Sequence, residues 1–390
     1  MECHAPADAL EGTAYRAVCV VGRGGMGEVI EAEHRRLGKR VVVKLLHRHY
    51  SDRRDLEDRL RLEAQTLARL AHPNLVAVHD MGRTPAGRSY LVMERLQGCT
   101  LGAELRRRGA LPWAEAVDIT CQLLAGLEAA HDAGVVYRDV KLDNAFVCQA
   151  LEGAGARRLV KLLDFGIAKV LSPGAAGLEP VAFPTDDEVA VGTPRFFSPE
   201  QALGNRVDAR TDIYAAAVLL YSLLAGRGPF DHLADVAALV RAHATEKPSP
   251  PSRWAAASLP PELDRAVLRA LAKQPAHRPP SAASFARELA RIAAAHGCGV
   301  APGEGPAMRA GPQEHGIAAV PRRRASSGAA NLRRTGPRLA VAVCLVILGA
   351  SIAATATRAG LARLDSNRER DFVERSRAAL TMDGGPRNAP

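Results

Sequence analysis

Past a short lead, the chain sets out in three β-prone apolar runs. These are residues 15–21, residues 29–33 beyond a cluster of glycines, and residues 40–45, where three valines run into Lys44. Such runs, bounded by turn residues, predict strands. Residues 90–96 form a continuous apolar stretch ending in Glu94, Arg95 and Leu96, which predicts a buried strand leaving into a linker. Between them, residues 56–70 place Leu56, Leu60, Leu67 and Leu70 at helical spacing, with Glu57 and Glu63 among them. After residue 100 the pattern turns helical, with amphipathic stretches over Leu101–Arg108 and 113–133 and further helices over 212–225 and 285–296. The proline-rich residues 247–261 read as a loop between helices.

Composition changes this picture in three places. A length of 390 residues holds one large two-lobed domain with a tail, or two ordinary domains. Much of the net charge of +10 lies beyond about residue 300, so it reads as a basic linker near a membrane rather than a nucleic-acid surface, and no nucleic-acid partner is expected. The seven cysteines are odd in number, scattered and without a C-x-x-C pair. That predicts free thiols in a reducing compartment, with neither a disulfide framework nor a zinc site. The opening residues lack the basic start and apolar run of a secretion signal.

Residues 297–336 shift to Gly, Pro, Ala and Arg without apolar periodicity and read as a flexible linker. Residues 339–357 then carry no charge between Arg338 and Arg358. As a helix they would be about 28 Å long at ~1.5 Å per residue, close to a bilayer's ~30 Å hydrocarbon core. They are therefore expected to cross a membrane, leaving residues 358–390 as a short basic tail. Arginines flank the stretch on both sides, so charge bias gives no orientation.

The candidate chemistry lies in two clusters. Gly22-Arg23-Gly24-Gly25-Met26-Gly27 is weak evidence by itself, because G-x-G-x-x-G also opens dinucleotide folds. Here the chain continues as a strand rather than a helix, which predicts a hairpin whose bare backbone can approach phosphate oxygens. The second cluster is Tyr137-Arg138-Asp139-Val140-Lys141-Leu142-Asp143-Asn144, followed by Asp164-Phe165-Gly166. Asp139 can accept a hydroxyl proton and Lys141 can steady a phosphate. Asn144 and Asp164 are the hard oxygen ligands that magnesium favours. Phosphoryl transfer needs positioning and charge neutralisation more than covalent chemistry, and these side chains supply both.

This octapeptide and its downstream Asp-Phe-Gly resemble the H-R-D-x-K-x-x-N and D-F-G motifs of the eukaryotic-like protein kinases, and residues 41–44 resemble their V-A-I-K strand. The resemblance spans residues 15–296, roughly three quarters of the chain. It implies an α+β, two-lobed kinase fold, with a small β-rich lobe and a large, mostly helical one, followed here by a disordered linker and one transmembrane helix. It implies ATP with magnesium (or manganese) as cofactors, and protein substrates. By resemblance the nucleotide is held by Val21, Gly22, Gly24, Gly25, Gly27, Val29, Lys44, Met93, Glu94 and Phe146. Glu63, rather than Glu57, pairs with Lys44; Asp139 and Lys141 act on the transferred group; Asn144 and Asp164 hold the metal.

Two departures are visible. Val42 replaces the usual alanine above adenine, and Tyr137 the usual histidine, a residue that packs rather than reacts. Lys141 resembles the serine/threonine-specific branch. Residues 192–201 resemble the family's substrate-docking segment. There Thr193 is expected to bridge Asp139 and Lys141, and Glu200 to pair with Arg278. Arg138 resembles the arginine that receives an activation-loop phosphate, for which Thr185 is the candidate site. The whole looks like a bacterial single-pass membrane kinase, with its catalytic domain on the cytoplasmic side of the inner membrane and homodimers for trans-autophosphorylation. Two rivals remain at this point, a nucleotide-sensing scaffold without turnover and a small-molecule phosphotransferase.

Overall fold

The first three apolar runs become β1 (Tyr15–Gly24), β2 (Gly27–His34) and β3 (Arg40–Leu46). With β4 (Val78–Arg83) and β5 (Ser89–Glu94) they form an antiparallel sheet in the order β1-β2-β3-β5-β4. The structure is a computed structural model and describes residues 9–24, 27–48, 70–149, 158–163 and 194–300. Gly25, Glu63, Asp164, Thr185, Thr193, the linker from residue 301 onward, and the expected span at 339–357 lie outside these residues. Among the described residues no helix is long and apolar enough to cross a membrane.

Side-chain alternation decides which face of the sheet is buried. Ile30, Ala32, Val41, Val43, Leu45, Tyr90 and Val92 pack with Leu10 and Tyr15 on one side. On the other side of β2, Glu31 and Glu33 meet Arg40, Arg95 and Arg16 in exposed ion pairs, which hold register more than they stabilise. Strand β5 is buried on both faces, because Leu91 and Met93 join Leu46 and Val76 in a second apolar cluster. That is why its run lacked alternation.

Three very short strands, β6 (Gly98–Thr100), β7 (Ala145–Cys148) and β8 (Val160–Leu162), make a second sheet in that order. The large core is helical. It contains α1 (Leu101–Arg108), α2 (Trp113–Asp132), α3 (Pro199–Ala202), α4 (Ala209–Ala225), α5 (Val236–Thr245), α6 (Pro261–Ala270) and α7 (Ala282–Ala295). Helix α4 is buried at every position from Thr211 to Ala225, as an apolar run with no polar face requires. It starts before Asp212, because Asp208 caps the N–H of Arg210. Helix α7 likewise starts ahead of Phe285, at a Ser281–Ser284 capping box.

One cysteine departs from the expectation of free thiols. Cys19 is disulfide-bonded, while Cys99, Cys121, Cys148 and Cys298 are free.

His243, in the last turn of α5, is 1% exposed, and burial followed by the nearby Lys273 ammonium pushes its pKa down to about 4 from 6.5. A depressed imidazole pKa means that the unfolded chain takes up its proton first. The contribution of His243 is thus complete above pH 6.5 and lost as pH falls towards 4. Urea unfolding at stepped pH is expected to show wild type losing about 3 kcal/mol more than His243→Gln across that window. A pH-independent difference between the two would refute this assignment.

Candidate active site

The glycine hairpin and Lys44 come together through register. Gly22 lies opposite Val29, Val29 opposite Lys44, and Lys44 opposite Leu91, so one line across β1, β2, β3 and β5 runs from the hairpin to the buried lysine. Gly27 needs to be glycine for the protein's own sake. Its φ is +155°, and a Cβ there would overlap the Leu45 carbonyl. Gly22 and Gly24 are different. Neither has a positive φ, and a Cβ on either would meet nothing within 4 Å. Neither conformation nor internal packing explains these two glycines, and the open space above them suits an approaching phosphate chain.

Val42 and Met93 are cross-strand neighbours, with Met93 buried at the back of the sheet. Val21, also assigned to the nucleotide, is exposed on β1, and Phe146 lies half-buried on β7 with its ring against Gly98. The side chain of Glu94 is not directed at a ligand. Its Oε1 accepts from Lys161 Nζ at 2.7 Å and from the Ala77 N–H at 2.8 Å, while its own N–H donates to the Ala77 carbonyl. Any nucleotide contact by Glu94 is therefore left to its carbonyl. The Lys161 partnership fastens the end of β5 to β8 and was not visible in the sequence.

The catalytic loop lies between α2 and β7. Asp139 Oδ2 accepts from Lys141 Nζ at 2.8 Å and from Asn144 Nδ2 at 2.7 Å. The same Asn144 nitrogen donates to the Asp139 carbonyl at 2.9 Å. Two acceptors on one side settle which end of the amide is nitrogen, so the Asn144 oxygen is the end left for a cation. A buried amide oxygen beside a carboxylate is the hard donor set that suits magnesium. Leu163, the last described residue before Asp164, donates its N–H to the Asn144 carbonyl at 2.9 Å.

This loop is held from below by Asp212, which is fully buried on α4. Its Oδ2 accepts from the Tyr137 N–H at 2.8 Å and faces His131 Nε2 at 2.8 Å, while Oδ1 accepts from the Arg138 N–H at 2.7 Å. Arg138 is the one non-glycine among the described residues with a positive φ, +64°. Such a conformation costs about 1–3 kcal/mol and persists only where the surroundings over-determine it, as these two amide bonds do. Gln201 adds a third hold, donating to the Arg138 carbonyl at 3.0 Å. In the sequence Asp212 is only the first residue of a helical run and Gln201 carries no signal, because what both hold is set by tertiary contact.

The expected pair of Glu200 and Arg278 is present as a buried two-pronged contact, both distances 2.8 Å. It ties the start of α3 to the segment before α7.

The family model described as protein kinase domain matches residues 15–289. Among curated relatives, the serine/threonine-protein kinase pkn3 of Myxococcus xanthus is 39% identical over 71% of this chain and 50% of its own length. The serine/threonine-protein kinase PksC of Streptomyces coelicolor is 37% identical over 73% of this chain and 50% of its own. The chain thus spans about half the length of these relatives. Among solved structures, the PknI kinase domain of Mycobacterium tuberculosis superposes with a TM-score of 0.53 at 26% identity, covering 72% of this chain and 96% of that one. The match across both sheets and the helical core, with the loop on Asp212 inside it, means that this chain belongs to the protein kinase domain family.

Proposed function

We propose that the chain transfers the terminal phosphoryl group of ATP to serine and threonine hydroxyls of proteins. The observation that carries this reading is the Asp139 carboxylate, held by Lys141 and Asn144 at 2.8 and 2.7 Å on a loop clamped by Asp212. Asp139 is placed to orient a hydroxyl and take its proton. Lys141 supplies a positive charge beside it for the phosphoryl oxygens in flight. Asn144, with Asp164, would hold magnesium, and Lys44 with the glycine hairpin would hold the phosphates. When bound, the metal neutralises charge on the phosphate oxygens and ATP provides the transferred group. The names of the curated relatives support serine and threonine as acceptors.

The uncharged residues 339–357 support single-span anchoring in the inner membrane, with the ATP-using domain on the cytoplasmic side. Thr185 is the proposed autophosphorylation site, with a second copy of the chain as the other party.

The test is incubation of the full chain with ATP, magnesium and myelin basic protein, followed by mass-spectrometric mapping of phosphate. Metal-dependent phosphate on serine or threonine is expected, on the substrate and on Thr185. Nucleotide binding without phosphate on either protein would hand the site to a nucleotide-sensing scaffold.

A further inference from the structure

Strand β1 is an edge of the five-stranded sheet, with β2 between it and β3. Its pairing is irregular on the way to the glycine hairpin. The register shifts between Ala17 and Cys19 and again between Val20 and Gly22, before Gly22, Arg23 and Gly24 meet Val29, Glu28 and Gly27. Each irregularity interrupts the ladder locally, and glycines add no side chain to pack. An edge strand built this way opens most readily at its end. Yet that end carries Gly22 and Gly24, the two glycines with open space above them.

The β2 arm of the hairpin is fixed to the end of β3. Gly27 lies opposite Leu46 and Glu28 opposite Leu45. Arg88, just ahead of β5, donates through Nε to the Leu46 carbonyl at 2.9 Å and sets Nη1 3.6 Å from Glu28. Glu28 also accepts from Arg23 Nε at 3.1 Å. Arg23 exposes 73% of its side chain and Arg88 only 24%, so solvent screens the Arg88 pair less.

The β1 arm is tied to the same place by a different bond. His47, the residue after β3, sets its Nε2 3.1 Å from the Gly24 carbonyl oxygen, reaching past the start of β2 to the edge strand. A carbonyl only accepts, so Nε2 carries the proton and the ring donates. Lys44 lies three residues before His47 on the same stretch of chain. One side-chain bond therefore links the end of the lysine strand directly to the end of the glycine strand.

We infer that His47 is a positioning residue for the phosphates of the nucleotide, fixing Gly22 and Gly24 relative to Lys44 through the Gly24 carbonyl. The inference rests on the reading of this hairpin as a phosphate site. The bond does not involve Val42 or Met93, at the back of the sheet, so its effect grows with the phosphates present and spares the rest of the nucleotide.

The test is calorimetric binding to the full chain of two ligands, the magnesium complex of the β,γ-imido analogue of ATP and adenosine. Hydrogen–deuterium exchange of the nucleotide-free protein accompanies it. His47→Phe keeps a planar ring and removes the donor. It is expected to weaken the analogue by about fivefold, the value of one hydrogen bond. Adenosine, which has no phosphate, should bind within about twofold of wild type. Amide exchange over residues 15–24 should quicken by about fivefold while that of β5 stays unchanged. His47→Gln, which restores an N–H donor, should recover most of both effects.

Equal losses for the analogue and adenosine, or unchanged exchange over residues 15–24, would overturn the inference. Should His47→Phe fail to fold, His47→Ser, too short to reach the carbonyl, decides by the same two readings. A wild type that binds the analogue but transfers no phosphate refutes the kinase reading alone, because the ratio of the two affinities still reports on the Gly24 bond. A wild type that binds neither ligand overturns the inference together with the phosphate site.

Discussion

Replacing Asp139 by asparagine is expected to slow phosphoryl transfer by about 10²–10⁴-fold while leaving the fold and nucleotide affinity in place. The size of the effect follows from what the amide can do in this loop. Asp139 Oδ2 receives two donors, Lys141 Nζ and Asn144 Nδ2, at 2.8 and 2.7 Å. An asparagine that keeps its oxygen facing them turns its NH₂ to the side where the substrate hydroxyl docks, where a donor cannot take a proton. An asparagine turned the other way sets its NH₂ against an ammonium and an amide nitrogen and releases Lys141. Either orientation removes the acceptor, and neither disturbs Asp212, which continues to hold the Tyr137 and Arg138 amides. Initial rates on myelin basic protein, nucleotide affinity and the urea midpoint should be measured together. A rate within about threefold of wild type would remove Asp139 from the chemistry.

The parts of this site that were legible in the sequence are those whose signal is local. The glycine hairpin, Lys44 and the octapeptide are contiguous, and the strands bearing them are marked by runs of apolar residues. Helix α4 was legible because it lacks a polar face. The supports of the site were not. The amides that Asp212 holds lie more than 70 positions away in the chain, and long-range hydrogen bonds leave no periodicity. Strands β6, β7 and β8 are three or four residues each, too short for alternation to register. Glu104 is the sharpest case, since on α1 among arginines it reads as an exposed helix charge. It is 2% exposed, and bonds from Arg107, Arg158 and Arg108 outweigh its burial and bring its pKa down to about 2. Arg158 arrives from just before β8, a partnership set by tertiary packing rather than by helical spacing.

Truncating Glu200 to alanine is expected to lower unfolding free energy by about 3–5 kcal/mol, the largest stability loss among the substitutions considered. Arg278 has a fully buried side chain and donates to Glu200 through both terminal nitrogens. It also donates to the carbonyls of Ala272, Arg210 and Lys273 at 2.8, 2.9 and 3.1 Å. Burial opposes the charge on Glu200, but bonds from Arg278 and from the Thr211 hydroxyl at 2.6 Å prevail and hold its pKa below the usual carboxylate value. Removing the carboxylate leaves a guanidinium charge buried with only neutral acceptors, and that unpaired charge, more than the lost attraction, sets the cost.

The double replacement Glu200→Leu with Arg278→Met removes both charges and keeps most of the volume. It should therefore be less destabilising than Glu200→Ala, with a coupling of about 2 kcal/mol or more between the two positions. Activity should not follow stability. Helix α3 is also held by the Ser198 cap and by Gln201 on the Arg138 carbonyl, so the folded fraction of the double variant should keep the catalytic loop in place. Urea midpoints of the single and double variants, with rates corrected for folded fraction, test both statements. Additive losses would mean that the pair is not coupled, and a folded but inactive double variant would mean that the Glu200–Arg278 pair, rather than Asp212 and Gln201, carries the geometry of the loop.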